Sequence, residues 1–546
     1  MRKIRARKIL LGLPLVIGLV FLVNLLFVGA RVIPPGNELI ISSIGDASFL
    51  NPVLSQDSAS GEINGFVFNG LLKYDQNLVL VGDLAESWEV KNGPRPEILF
   101  KLRAGVRWHD GRPVTAEDVR FTYQTIMDGK TNTVRRSDYE LVDRIEIPSP
   151  LEVRIIYKEP FSPGLSSWTM GIIPRHLLSG QDINKTPFNR RPVGTGPFRF
   201  VEWVSDEKIV LEANPNYFEG RPGLDRIVYR IIPETSLSEI ELLTGGIDLF
   251  NTYPHQVTRM RSDPRLTVYR YPSLAYSYIG YNQKNPLFQD KRVRQALTMA
   301  INREEMITFI LFGLGKQATG PFPPHLWYSD PAVKPWPFDP ERARSLLAEA
   351  GWQDRDGDGI LDRDGKPLRF TLITNSGNEV RKDVGVLIQR YWREIGVEVK
   401  LELYEWSVFL KNFIDPRHFE ACILGWSLGV DPDAYNIWHS SQIKEGFNFI
   451  GYRNPEADRL WEEGRREYDL NKRRLIYFML QALLAEEQPY TFLFVSDATP
   501  ALRRKFKVVK KDPLGKVTLA PVQPGKGGLM HDLVHWTVPQ AANLIP

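Results

Sequence analysis

Three short stretches carry residue types at spacings that chemistry uses. Gly425-Trp426-Ser427-Leu428-Gly429 is a formal G-x-S-x-G after the apolar run Phe419–Leu424. A nucleophile elbow needs a helix to begin directly after the serine, so that backbone N–H groups meet the oxyanion. Val430-Asp431-Pro432-Asp433 reads instead as a turn, so Ser427 is expected to be an ordinary polar residue on a cleft loop. A secreted serine hydrolase using Ser427, with His439 downstream, is the remote alternative. Asp354, Asp356, Asp358 and Asp362 occupy positions 1, 3, 5 and 9 of a calcium loop, but position 12, normally a bidentate Glu, is Gly365. The favoured reading is a solvent-exposed turn of Asp and Gly, with any calcium structural and dispensable. His531 and His535 have the i, i+4 spacing of a zinc helix, yet Asp532 stands where a metalloprotease has Glu, and Gly527-Gly528 and Pro539 confine the segment. An irregular tail or strand is expected there.

Two glycine pairs fail as phosphate cradles. Gly313-Leu314-Gly315-Lys316 has the wrong spacing and Gln317 in place of Ser or Thr. Gly194-Thr195-Gly196 lacks a third glycine, and Pro197 blocks a helix start. The aromatic content points elsewhere: the chain has 13 Trp, 20 Tyr and 28 Phe, and Trp108, Tyr276, Tyr278, Tyr281, Trp406, Trp426, Tyr435 and Trp438 fall near strand ends or loops. Cleft walls are usually apolar and aromatic with a few placed polar groups. The run from Trp426 to Asp433 combines both and is the first choice for a binding element.

The elements that would position these residues alternate without a fixed period. Strands are expected at Leu39–Ile44, Ile98–Arg103, Leu151–Tyr157, Ile209–Glu212, Ile227–Ile232, Leu368–Ile373, Val397–Leu403 and Phe419–Leu424. Asp339-Pro340 opens a helix that Gly351 closes, Thr115 and Asp118 open another as a capping box, and Val384, Leu387, Ile388, Tyr391 and Ile395 mark a third. Arg453–Tyr468 and Lys472–Glu487 read as a helical pair. The pattern is mixed α/β.

With 546 residues, 43% hydrophobic and 25% charged, the chain has ordinary globular composition, which excludes disordered, collagenous and multi-span membrane classes. The single Cys422 excludes a disulfide framework and cysteine-built metal sites. Five of the 69 bases lie in residues 1–30; without them 64 bases face 65 acids, so nucleic acid is not expected as a partner. Those five precede an uncharged run, Ile9–Val28, long enough to cross a bilayer. The basic flank keeps the N-terminus cytoplasmic and places everything after Arg31 outside. An uncleaved anchor is favoured over a signal peptide cut near Ala30.

Several ordered motifs resemble the bacterial extracytoplasmic solute-binding proteins of family 5, the dipeptide- and oligopeptide-binding class. They include Leu50-Asn51-Pro52, Phe68-Asn69-Gly70-Leu71, Asp83-Leu84-Ala85-Glu86-Ser87-Trp88, Phe100 to Gly111, Pro113 to Val119, Gly194 to Phe198, Asn214 to Phe218, Arg292 to Leu297 and Gly425-Trp426. The resemblance implies a two-lobed periplasmic-binding-protein fold of class II type with an inserted α+β domain. Residues 37–70, 192–282 and 490–546 would form lobe I, 71–191 the insert and 283–489 lobe II. It also implies a monomeric receptor without catalysis, closing on a peptide and delivering it to an ABC permease and its ATPase subunits. Other members take oligosaccharides or nickel complexes. Gln56 and Asp57 match a ligand-facing stretch of the family, and Trp406, Trp426, Ser427, Asp431 and Asp433 complete the expected site. One departure stands out: an aspartate three residues after the loop tryptophan pairs with the peptide ammonium in these binders, and Gly429 occupies that place here. Either Asp431 or Asp433 substitutes for it, or the ligand presents no free amine.

Overall fold

A computed structural model describes residues 36–512 and 514–539. The expected anchor, Ile9–Val28, lies outside the described residues; among those described, no helix is long and apolar enough to cross a membrane.

Two seven-stranded sheets organise the chain. The first runs in the order Leu266–Val268, Pro500–Arg503, Leu249–Asn251, Glu38–Ser43, Arg226–Ile231, Lys208–Ala213, Phe198–Val204. Its central strand Glu38–Ser43 is parallel to both neighbours. The second runs Tyr271–Pro272, Tyr490–Ala498, Ala275–Tyr281, Ala421–Ser427, Arg369–Asn375, Glu398–Tyr404, and Gly315–Gln317 also pairs with Tyr490–Ala498. Arg369–Asn375 and Glu398–Tyr404 are parallel. Parallel neighbours need a crossover, and the helix Glu379–Glu394 supplies it, burying Val384, Ile388, Tyr391 and Trp392. The anticipated strands and helices all form, with ends displaced by a few residues.

A four-stranded antiparallel sheet, Ala85–Lys91, Glu97–Leu102, Glu152–Tyr157 and Val142–Ser149, lies between strands of the first sheet in sequence. It shares one core with that sheet: Leu39, Phe100, Trp108, Trp168, Phe198 and Trp536 belong to a single buried cluster. The second sheet has its own cores, one around Leu347, Ile388, Trp392 and Ile423, the other an aromatic mass around Tyr278, Trp438, Trp461 and Tyr490.

The passages between lobes differ from those anticipated at 282 and 490. Ala275–Tyr281 and Tyr490–Ala498 belong to the second sheet, where Ala275–Tyr281 pairs with Ala421–Ser427 on one side and with Tyr490–Ala498 on the other. The chain therefore crosses at about residues 268–271 and 498–500. The turn signals at Asn282–Pro286 and Gln488-Pro489 end strands and helices inside one lobe; at the true passages a strand of one sheet follows a strand of the other with only Tyr269 and Arg270, or Thr499, between them.

Candidate functional site: the cleft between the two sheets

Between the two lobes lies a cleft of about 1290 Å³, lined from one side by Ala47, Phe49, Gln56, Asp57, Phe250 and Tyr253 and from the other by Tyr276, Arg381, Trp406, Asp415, Trp426 and Phe447. All seven residues anticipated for binding border it: Gln56, Asp57, Trp406, Trp426, Ser427, Asp431 and Asp433.

Trp426 is carried to the rim by the strand Ala421–Ser427, whose first four residues are buried. Its indole stacks on Phe449 (5.9 Å, 11°) and Tyr278 (6.3 Å, 12°), and its Nε1 donates to the Tyr490 hydroxyl at 3.3 Å. The stack immobilises an aromatic wall before any ligand arrives. Trp406 packs against the opposite lobe: a Cβ on Gly45 would stand 2.8 Å from its Cδ1, so glycine gives the indole room there. Asp57 caps the helix Ser58–Val67, accepting from the Ser60 amide at 2.8 Å and from the Ser60 hydroxyl at 2.7 Å, while Gln56 beside it is exposed.

The loop carboxylates are not free. Both oxygens of Asp431 accept from Arg473, each at 2.7 Å, a bidentate pair with the guanidinium 3% exposed. Asp433 lies 3.2 Å from Arg465, which also reaches Glu140 at 3.1 Å. Burial pushes the Asp433 carboxyl up, and the charges of Arg465 and Arg473 oppose that. The sequence reasoning saw these acids without their arginines, which lie 32 and 42 residues further on in two helices. The carboxylates with no basic side chain within ion-pair distance, among the described residues, are elsewhere in the lining. Asp57 is one, from the first lobe; Asp415, at the end of the helical segment Phe409–Ile414, is another. Burial raises the Asp415 carboxyl to about 6, Arg417 lowers it and the like charge of Asp57 raises it further.

Ser427 and His439 form no hydrolytic arrangement. Ser427 is exposed and is followed by a turn, the next helix beginning only at Tyr435. The His439 Nδ1 is engaged with the Ser441 hydroxyl at 2.8 Å and its ring stacks on Tyr435. In the acidic turn, Asp354, Asp356 and Asp358 converge with carboxylate oxygens within 4.8 Å of one another. Asp362 leaves the anticipated set, since its carboxylate pairs with Arg355 at 2.9 Å. Backbone amides already fill much of the acids' capacity: Gly357 and Gly359 donate to Asp354, and Ile360 to Asp358. The tail histidines separate, His531 meeting the Gly525 amide and His535 ending a short 3-10 turn. Gly194 and Gly196 turn out to be packing glycines: a Cβ on either would lie 1.8 Å or 2.4 Å from the carbonyl oxygens of Val67 and Phe66.

The sequence reasoning missed Arg381, Asp415, Tyr253, Phe447 and Phe449. Arg381 reads as one more polar residue in an amphipathic helix; only Phe447 and Phe449, alternating around Asn448, left a period-2 trace.

Comparison with known proteins agrees with this architecture. Residues 79–448 match the bacterial extracellular solute-binding proteins, family 5. The oligopeptide-binding protein AppA of Bacillus subtilis is 38% identical over 488 residues, covering 88% of this chain and 90% of that one. The structure of AppA in complex with a nonapeptide superposes with a TM-score of 0.86 at 36% identity, over 92% of this chain and 99% of that one. NikZ of Campylobacter jejuni, in complex with Ni(L-His), superposes at 0.82 with 28% identity, over 92% of this chain and all of the other (100%). A cleft between two lobes, a family match across most of the chain and a relative 38% identical over 88% of it lead to one conclusion: this protein belongs to the bacterial extracellular solute-binding proteins of family 5.

Proposed function

We propose that the chain is the extracytoplasmic receptor of an ABC importer and that it captures peptides between its lobes, without changing them, for delivery to a permease and its ATPase subunits. The observation that carries this reading is the cleft itself. At about 1290 Å³ it exceeds the 300–1,000 Å³ typical of small-molecule sites, and its walls are aromatic with a few polar groups. The relatives support it: AppA is an oligopeptide-binding protein, and an ABC transporter-associated periplasmic binding protein of Helicobacter pylori is in complex with the peptide STSA. Closure about the two crossings would bury the ligand and strengthen each polar contact within. The protein acts as a monomer, held at the outer face of the cytoplasmic membrane by residues 9–28. With Gly429 in the place of the family's amine-pairing aspartate, and with Asp431 and Asp433 committed to arginines, a ligand ammonium would meet Asp57 and Asp415.

Native mass spectrometry of the purified exported portion tests the reading. Peptides of mixed sequence should co-purify and exchange against an added synthetic nonapeptide. A co-purifying metal chelate or sugar, with no heat on titrating peptides into the stripped protein, would refute it.

A further inference from the structure

Far from the cleft, the hairpin of strands Lys507–Lys511 and Val517–Pro521 gathers basic and apolar residues on one exposed surface. Between residues 507 and 516 the chain has four lysines and a single acid, Asp512, although the chain after residue 30 carries 64 bases against 65 acids. Lys505, just before the hairpin, is neutralised by the buried Asp248 at 2.7 Å. Lys507, Lys510, Lys511 and Lys516 have no carboxylate within ion-pair distance among the described residues. Asp512 is turned inward, accepting from the Leu514 and Lys516 amides at 2.9 and 2.8 Å.

Side chains alternate between the two faces of a strand. Val508, 4% exposed, faces the core that contains Trp536, its partner in the third strand of this small sheet. Lys507, Val509 and Lys511 therefore share the outer face, and the register sets Val509 opposite Leu519 and Lys511 opposite Val517. Nothing covers that face: Val517 is 55% exposed, Leu519 42%, and Leu514 at the turn 94%. A single exposed leucine is ordinary, but apolar residues grouped on one face mark a surface that meets something else. Unpaired lysines around them select an anionic partner with an apolar layer beneath its charges.

Position identifies that partner. Thr537 pairs with Lys507 at the base of the hairpin, the next amide, that of Val538, donates to Asn37 Oδ1 at 3.0 Å, and Asn37 donates in turn to the Gly223 carbonyl. From Val28, the end of the apolar run, to Asn37 is nine residues, a reach of about 30 Å at most. A strand of five residues is about 17 Å long, so the hairpin is shorter than the tether that leaves from its base. We propose that this hairpin lies on the bilayer that anchors the chain, its four lysines on anionic lipid headgroups and Leu514, Val517 and Leu519 in the headgroup layer. The proposal rests on the reading that residues 9–28 hold the protein at the membrane. Docking gives lobe I one orientation on the bilayer instead of leaving it free on its tether.

The test uses the full chain reconstituted in vesicles of phosphatidylcholine, alone or with about one-third phosphatidylglycerol. Cys422 is buried, so Leu514→Cys supplies the accessible thiol for an environment-sensitive dye, and Asp356→Cys, in the exposed turn of the other lobe, is the reference. On anionic vesicles the dye at 514 should shift to the blue and be quenched by spin-labelled lipid about threefold more than the dye at 356. On phosphatidylcholine the two should match. Val517→Cys repeats the measurement with Leu514 in place. Replacing Lys507, Lys510, Lys511 and Lys516 together by Gln removes about fivefold in surface partitioning per lysine and should return the 514 dye to its phosphatidylcholine value. Salt of about 1 M, which shortens the screening length to about 3 Å, should do the same without a substitution. Flotation separates the two readings. A chain that floats with the vesicles while both hairpin dyes stay unshifted on either lipid overturns the docking and leaves the anchor intact. Quenching that is equal on both lipids, or that neither salt nor the lysine variant alters, overturns the recognition of anionic lipid. A chain that does not float overturns both.

Discussion

At the scale of single residues, cleft charges divide into those the protein has already neutralised and those it has left for something else. Asp431 belongs to the first kind. Asp431→Asn would leave the Arg473 guanidinium, 3% exposed, without its bidentate partner, and breaking such a pair costs about 3–5 kcal/mol. Urea unfolding should show a loss of that order, with any change in peptide affinity secondary; a stable variant that had lost only affinity would return Asp431 to the role of ligand anchor. Asp415 belongs to the second kind. Its carboxyl, raised to about 6 chiefly by burial, binds a proton more tightly folded than unfolded, so its contribution to stability falls as pH rises from its ordinary 3.8 to that value. Asp415→Asn should therefore be more stable than the parent at pH 7.5, with the gap closing near pH 4. The same variant should bind an amine-bearing peptide more weakly, a gain in stability at the expense of function.

At the scale of elements, close approach rather than chemistry explains the glycine pair at 194 and 196. The segment lies on the backbone of Phe66 and Val67 at the end of the helix Ser58–Val67, which carries Asp57 at its other end. Gly194→Ala drives a Cβ into the Val67 carbonyl and should cost about 3 kcal/mol or more, seen as a large fall in melting temperature. The acidic turn at 354–358 behaves differently, because backbone amides already hold its carboxylates. Calcium or EDTA should move the melting temperature by no more than about 1 °C; a rise that grows with calcium concentration would show that the three carboxylates bind the ion.

At the scale of the whole molecule, the contacts between the four-stranded sheet region and the second lobe bear on how long a ligand stays. Arg465 links Asp433, behind the cleft loop, to Glu140 across the gap, and the neighbouring Arg466 reaches Glu159 at 2.9 Å. The Phe161 amide donates to the Tyr468 hydroxyl at 3.0 Å in the same seam. Opening the cleft on this side must separate these groups. Glu140→Gln with Glu159→Gln should weaken the closed form by about 1 kcal/mol and speed peptide release severalfold in surface plasmon resonance, with association little changed. Unaltered release would mean that the seam does not part when the cleft opens.

What the sequence determined by itself was local and ordered: capping residues that start helices at Asp339 and Thr115, apolar runs that become strands, and motif strings sufficient to identify the family. These signals are carried within a few residues of one another, so they survive in one dimension. It also marked Trp426 and the loop after it as part of a cleft. Only the tertiary structure decided which charges that cleft offers. Arg473 and Arg465 neutralise Asp431 and Asp433 from 42 and 32 residues away, whereas Asp57 and Asp415 line the cleft without an ion-pair partner among the described residues and Arg381 is left without an acid. It also decided where the chain passes between lobes, because at each passage strands of the two sheets follow one another across one or two residues, with no loop to announce the change. Ion pairing depends on distance in space, and a sequence records distance only along the chain.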